Sequence, residues 1–299
     1  MKKLIFTGAG VAIATPMNAD DTINYDELGR LIDYQIENDT DAIIICGTTG
    51  ESSTMTDEEH TECIRYAVEK VAGRVPVIAG TGSNHTEYAV NLSKTAEKLG
   101  ADALLLVTPY YNKASQEGLF RHYSAIAEAV SLPIILYNVP SRTGTNIAVE
   151  TLKRLSAIEN IVAVKEASGD ISRVAKIREA CGDDLTIYSG NDDQIVPIMA
   201  LGGKGVISVL SNCMPKETHR IAALCLENKY DEASALAIDT LGFANALFCD
   251  VNPIPVKEAL NIMGFNAGSC RLPLCDTSDA NKAKIRAEME KHGLVGIIK

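Results

Sequence analysis

At 299 residues with 46% hydrophobic and 22% charged side chains, the chain is long enough for one large domain and too apolar for disorder. A formal charge of -11 and a pI near 5.0 argue against nucleic acid or an anionic membrane surface as partner, since both call for a Lys/Arg face. An anionic substrate therefore needs a local cationic pocket.

No apolar run approaches the roughly 20 residues that cross a bilayer, and the longest, such as 42–46, are strand-sized. The chain reads as soluble. Lys2 and Lys3 followed by LIFTGAGVAIATP imitate an export signal, but its removal would delete VAIATP, which the architecture below needs as a first strand. The eight cysteines form no CxxC pair and mostly sit in apolar patterns, which suits a reducing cytoplasm. Cys270 and Cys275 are the one close pair, and a loop disulfide between them is an open alternative.

Eight short apolar or β-rich runs recur along the chain, at 11–15, 42–46, 75–79, 103–108, 133–137, 161–165, 185–189 and 206–209. Each precedes a segment of helical periodicity, such as Cys63, Ile64, Ala67, Val68 and Val71, or Leu119, Tyr123, Ile126 and Val130. Strand and helix alternate, so the sheet is predicted parallel with helical crossovers. Stopping at eight selects an α/β fold of the TIM (β/α)8 barrel type over an open sheet, with residues 1–224 as the barrel. After Met214 only helical patterns follow, broken by Pro215, Pro253, Pro255 and Pro273. Residues 225–299 are read as a C-terminal helical appendage on the barrel or on a neighbouring subunit.

Barrel chemistry sits in the loops where strands end. Strand two runs into GTTGES (47–52), where glycines permit a tight turn whose N–H groups can converge on a carboxylate, and Thr48 and Thr49 can relay protons. A plain capped turn reads equally well from so short a motif. Strand four ends in TPYYNK, whose adjacent Tyr110 and Tyr111 cannot both face one barrel mouth, so one suits an interface. Strand five ends in LYNVPSRTG, with Tyr137 as candidate proton donor and acceptor and Arg142 as candidate carboxylate clamp. A core ring and a solvated loop charge are the bland alternatives. Strand six reads IVAVKEASGD. Ile161, Ala163 and Lys165 are expected on one face, where desolvation would leave Lys165 a neutral amine able to attack a ketone. Pairing with Glu166 is the competing reading.

GTGSNH at 80–85 lacks the third glycine of a dinucleotide loop, and GGKG at 202–205 lacks the Walker spacing. Gly202 and Gly203 stay open as part of a barrel phosphate site. The five histidines show no metal-ligand spacing, which speaks against a zinc-dependent aldolase.

GVAIATP, GTTGES, PVIAGTG, TPYYNK, YNVPSRTG, VAVKEASGD, YSGND, NPIPVKEAL and RLPL together resemble the dihydrodipicolinate synthase family of pyruvate-dependent lyases, related to N-acetylneuraminate lyase, over essentially the whole chain. The resemblance implies 4-hydroxy-tetrahydrodipicolinate synthase chemistry in the diaminopimelate route to lysine. Lys165 would condense with pyruvate, while Tyr137, Thr49 and Tyr111 relay protons and Thr48 also holds the pyruvate carboxylate. Gly190 and Ile207 would line the pyruvate site, and Arg142 would bind the carboxylate of L-aspartate 4-semialdehyde. No metal or organic cofactor is implied. Tyr111 would come from a neighbouring subunit of a homotetramer, a dimer of dimers. Arg142 favours the synthase over sialate or 2-keto-3-deoxy-sugar-acid lyases, whose aldehydes have less use for it; a non-catalytic keto-acid-binding barrel is the reading from another class.

Lysine-inhibited members of the family bind that end product at the dimer interface. Ser52, His60, Asn84 and Tyr110 match the pattern, but Tyr88 stands where a glutamate would receive the effector's ammonium, and Asp57 replaces a common histidine. Weak or absent inhibition is the expectation.

Overall fold

The computed structural model describes residues 2–298. Eight parallel strands close into a barrel in sequence order: β1 (Gly8–Ala12), β2 (Ala42–Ile45), β3 (Val77–Gly80), β4 (Ala103–Val107), β5 (Ile134–Asn138), β6 (Ile161–Glu166), β7 (Thr186–Ser189) and β8 (Gly205–Ser208). The expected TIM barrel is therefore present, with helices between the strands.

Two local expectations change. β1 pairs with β8 from Gly8–Gly205 to Val11–Ser208, so it starts earlier than the expected 11–15 stretch. A Cβ at Gly10 would lie 2.7 Å from Ile44 Cδ1 and 2.9 Å from the Phe6 ring, so crowding demands a residue that strand propensity discounts. In β6 the register against β5 slips between Ile134–Ile161 and Ile135–Ala163. The extra residue flips the alternation. Ile161 consequently joins the outer core with Val164, while Ala163 packs inside the barrel, so Ile161 does not share a face with Ala163 and Lys165.

The barrel interior holds Ala12, Ile44, Ile78, Leu105, Ile135, Ala163 and Ile207. At the end where the strands begin, Phe6 stacks on Tyr188 with centroids 4.4 Å apart, and the Tyr188 hydroxyl donates to Phe6 O at 2.7 Å. That plug closes one mouth. Gly205 opens β8 at this same end, where a Cβ would lie 2.0 Å from Gly8 O. Gly205 thus serves close strand approach, while Gly202 and Gly203 pack against Arg178 and Ile198 at this same end, away from the functional mouth, and the phosphate-site alternative falls.

The helices bury the stripes read from their periodicity. Asp57–Val71 opens on a capping box of Thr56 and Glu59 and buries Cys63, Ile64, Ala67 and Val71. Beyond the barrel helix Pro215–Leu226 lie Tyr230–Ala246, Ile254–Met263 and Asp279–Lys291. Helix Ile254–Met263 sends Lys257 to a fully buried ion pair with Glu51, 2.8 Å away in the turn after β2. Cys270 is a buried free thiol and Cys275 an exposed one, so the disulfide alternative is not realised. Among the described residues, no helix is long and apolar enough to cross a membrane.

Candidate active site

At the strands' C-terminal ends lies a cavity of about 230 Å³. Its wall includes Thr48 and Thr49 from the turn after β2, Tyr137 from β5, Arg142 from the following loop, Lys165 from β6 and Gly190 after β7. The fold thus gathers the candidate residues from four strand ends into one chamber.

Lys165 is only 5% exposed. Its competing partner is engaged elsewhere: Glu166 faces the outer layer, where it accepts from Asn138 at 3.0 Å and from Arg173 at 3.1 Å. Burial pulls the Lys165 amine down to about 7, opposed by the negative charge of Asp192 and assisted by Arg142. Near neutral pH a large fraction is therefore the neutral nucleophile. The amine sits 4.3 Å from the Tyr137 ring centroid. Burial raises the Tyr137 phenol, while Arg142 and a hydrogen bond with Thr48 pull it back. A protonated phenol beside a neutral amine can donate to a carbinolamine oxygen and later accept a proton.

The hydroxyl that meets this phenol is that of Thr48. Thr49 Oγ1 instead accepts from Asn252 Nδ2 at 3.0 Å. The turn closes through Gly50 N–H to Gly47 O and Glu51 N–H to Thr48 O, both 3.1 Å, which leaves Gly47, Thr48 and Thr49 on the cavity wall. Ile207 is buried inside the barrel and does not line the cavity. Tyr111 lies outside it, 92% exposed, with a left-handed φ of 69° that non-glycine residues rarely adopt.

An adjoining cavity of about 350 Å³ gathers Ser52, His60, Tyr88 and Tyr110 and shares Thr48 and Arg142 with the first. Asn84 Nδ2 donates to Tyr110 O at 3.2 Å, and the Tyr88 hydroxyl donates to Asp57 at 2.7 Å. The residues matched to an effector pattern thus meet in space, and the two departures from it bond to each other.

Sequence reasoning passed over Asp192, Asn191, Phe248 and Asn252. Asn252 and Phe248 come from the helical tail, and Asn252 O accepts from Arg142 at 3.3 Å. Asp192 stands inside the YSGND motif, and the fold buries it where it accepts from the N–H groups of Val209 and Leu210. No group of three or more His, Cys, Asp or Glu among the described residues could hold a metal ion.

A profile of the dihydrodipicolinate synthetase family matches residues 5–292. The chain is 58% identical over 292 residues to the 4-hydroxy-tetrahydrodipicolinate synthase of Lachnoclostridium phytofermentans, covering 97% of this chain and 99% of that one. It is similar to the structure of the chloride-inhibited dihydrodipicolinate synthase from Acinetobacter baumannii complexed with pyruvate, at TM-score 0.95 and 44% identity, over 97% of this chain and 99% of that one. DHDPS from Cyanidioschyzon merolae with lysine bound aligns at TM-score 0.95 and 41% identity, over 98% of this chain and 100% of that one. The chain belongs to the dihydrodipicolinate synthetase family and is a Schiff-base-forming lyase.

Proposed function

We propose that the chain condenses pyruvate with L-aspartate 4-semialdehyde as a 4-hydroxy-tetrahydrodipicolinate synthase, the first committed step of the diaminopimelate route to lysine. The observation that carries this reading is the buried Lys165 amine, drawn down to about 7, facing a cavity that also holds Tyr137 and Arg142. The amine attacks the pyruvate ketone, Tyr137 protonates the departing oxygen, and Thr48 hands protons to and from the phenol. Thr48 and Thr49 border the carboxylate end in the turn, with Gly190 on the wall and Ile207 behind it. The enamine adds to the aldehyde, whose own amine then displaces Lys165 as the ring closes. Because the imine is the electron sink, this chemistry calls on no metal or organic cofactor.

The decisive test is borohydride reduction with pyruvate followed by mass spectrometry. A stable adduct on the Lys165 peptide supports the reading, while an unmodified Lys165 leaves only a keto-acid-binding barrel. Arg142 favours the amino-acid semialdehyde over a sialate or sugar-acid aldehyde, because a guanidinium matches the second substrate's carboxylate. Arg142→Ala should cut kcat/KM for the semialdehyde by about a hundredfold or more while adduct formation with pyruvate persists. Equal damage to both steps counts against this role.

Tyr111 is proposed to enter the site of a neighbouring subunit, completing the proton relay in a cytoplasmic homotetramer built as a dimer of dimers. Its exposure and left-handed backbone support that placement. Lysine is proposed to inhibit weakly or not at all. No carboxylate lines the cavity shared by Ser52, His60, Tyr88 and Tyr110 among the described residues, Arg142 adds a positive charge there, and Asp57 is engaged by Tyr88. An ammonium without an anionic partner forfeits several kcal/mol, roughly a hundredfold in affinity. Activity titrated against millimolar lysine should stay flat; a steep fall sinks the idea.

A further inference from the structure

We propose that the Phe248 ring sets how long an aldehyde the site accepts, because it stands between the pyruvate chamber and a second, polar chamber fitted to the hydroxylated tail of a longer neutral aldehyde. The inference rests on the Schiff-base reading above and makes Phe248 a specificity-determining residue beside Arg142.

The second chamber, of about 340 Å³, adjoins the first. Ser141, Ala167, Asn191 and Phe248 line both, so these residues form the wall they share. That wall runs beside the nucleophile. A Cβ added to Gly190 would sit 2.6 Å from Ala167 Cβ and 3.1 Å from Lys165 Cε, so the alanine of the shared wall and the lysine stem press on the same glycine. Serine, alanine and asparagine are short side chains, and the bulk of the partition is the phenylalanine ring.

The helical tail holds the ring in place. Phe248 follows helix Tyr230–Ala246, and its N–H donates to Asn245 O at 3.1 Å. The same segment is fastened to the site through Asn252, which donates to Thr49 at 3.0 Å and accepts from Arg142 at 3.3 Å. Asp250 between them accepts from Thr277 at 2.8 Å. The backbone is thus tied down while the ring stays 48% exposed, outside the packed core and free to meet a ligand. Past the ring, the second chamber presents the hydroxyl of Ser168, the amides of Gln194 and Asn245 and the carboxylate of Asp193. Gln194 donates to Gly169 O at 3.0 Å and accepts from Asn191 at 3.2 Å, whereas the Asn245 amide bonds to no other described residue and keeps both its donor and its acceptor. No Lys or Arg lines the chamber among the described residues, so it offers nothing to a phosphate or a second carboxylate and suits neutral hydroxyl groups.

Discrimination between two aldehydes is a difference of affinities, and an obstruction against the wrong one serves as well as an attraction for the right one. Arg142 attracts the carboxylate of the short semialdehyde, which has no need of the second chamber. Phe248 denies a longer hydroxylated tail its room. With such an aldehyde the enamine carbon bonds to the carbonyl carbon and the carbonyl oxygen takes up a proton. Water, in place of a substrate amine, then frees Lys165, and the product is a 2-keto-3-deoxy acid.

The test measures pyruvate addition by the wild type, Phe248→Ala and Phe248→Leu to D-glyceraldehyde, D-erythrose and D-arabinose, each longer than the last by one hydroxylated carbon. In Phe248→Ala the kcat/KM ratio of arabinose to glyceraldehyde should rise by about tenfold or more, with erythrose between them and the leucine variant intermediate. A merely structural lesion slows all three aldehydes alike and leaves the ratio where it was. An unchanged ratio overturns the inference. So does a falling one, which would make the ring a platform for the tail and not a barrier to it. If the alanine protein does not fold, the leucine variant decides by the same ratio. Asn245→Leu, added to Phe248→Ala, fills the second chamber from its far side and should return the ratio close to that of the wild type. A ratio that stays high places the tail elsewhere and overturns the assignment of the chamber. Failure of the wild type to trap pyruvate at Lys165 under borohydride is a separate result that removes the Schiff-base reading itself.

Discussion

Lys165→Met abolishes the pyruvate adduct and lowers the condensation rate by at least about 10⁴-fold, the scale of losing a covalent nucleophile. Methionine fills the space of the lysine stem without an amine, so the loss is chemical. The same substitution should stabilise the fold. In the folded chain Lys165 releases its proton near pH 7, against 10.5 for an ordinary lysine. Between those values the unfolded chain holds more protons, so this group's contribution to stability rises with pH across that window. Below it, the folded state bears the whole cost of a buried ammonium, on the order of several kcal/mol. Thermal melts from acid to mildly alkaline pH should therefore show the variant melting above the wild type at low pH, with the gap closing as pH rises. A constant gap would mean that Lys165 is not depressed by burial, and a trapped adduct elsewhere on the variant would relocate the nucleophile.

Lys165, Tyr137, Arg142, Thr48 and Thr49 could be collected because a parallel barrel delivers every strand end to one mouth, so local strand boundaries suffice to bring them together. The start of β1 is hidden because Gly8 makes room for the Asp41 carboxylate and Gly10 for Ile44 and Phe6, neither of which is a strand preference. Ile161 was assigned to the wrong face because a bulge leaves no mark in simple alternation. Asp192 and Asn252 escaped notice for a third reason. Their partners lie across the fold, the N–H groups of Val209 and Leu210 in one case and Arg142 with Thr49 in the other, and no local pattern encodes such a partner. The choice between the two threonines likewise turns on side-chain direction within one tight turn.

Lys257→Met should lower stability by about 3 to 5 kcal/mol, a fall in Tm of roughly 10 °C for a chain of this size. Lys257 and Glu51 are both nearly inaccessible, and besides their mutual contact the lysine donates to Ser269 O at 2.7 Å while Glu51 accepts from Arg271 N–H at 3.0 Å. Removing the ammonium strands a buried carboxylate in the turn that carries Thr48 and Thr49. Pyruvate binding should therefore weaken along with the fold. Adding Glu51→Gln removes the stranded charge while retaining an acceptor for Arg271, so the double variant should recover a large part of the loss despite carrying more changes. Calorimetry of the two single variants and the double variant measures this directly. Additive losses would mean that the residues act through packing alone. Recovery of stability without recovery of pyruvate affinity would mean that the pair supports the fold but does not shape the turn.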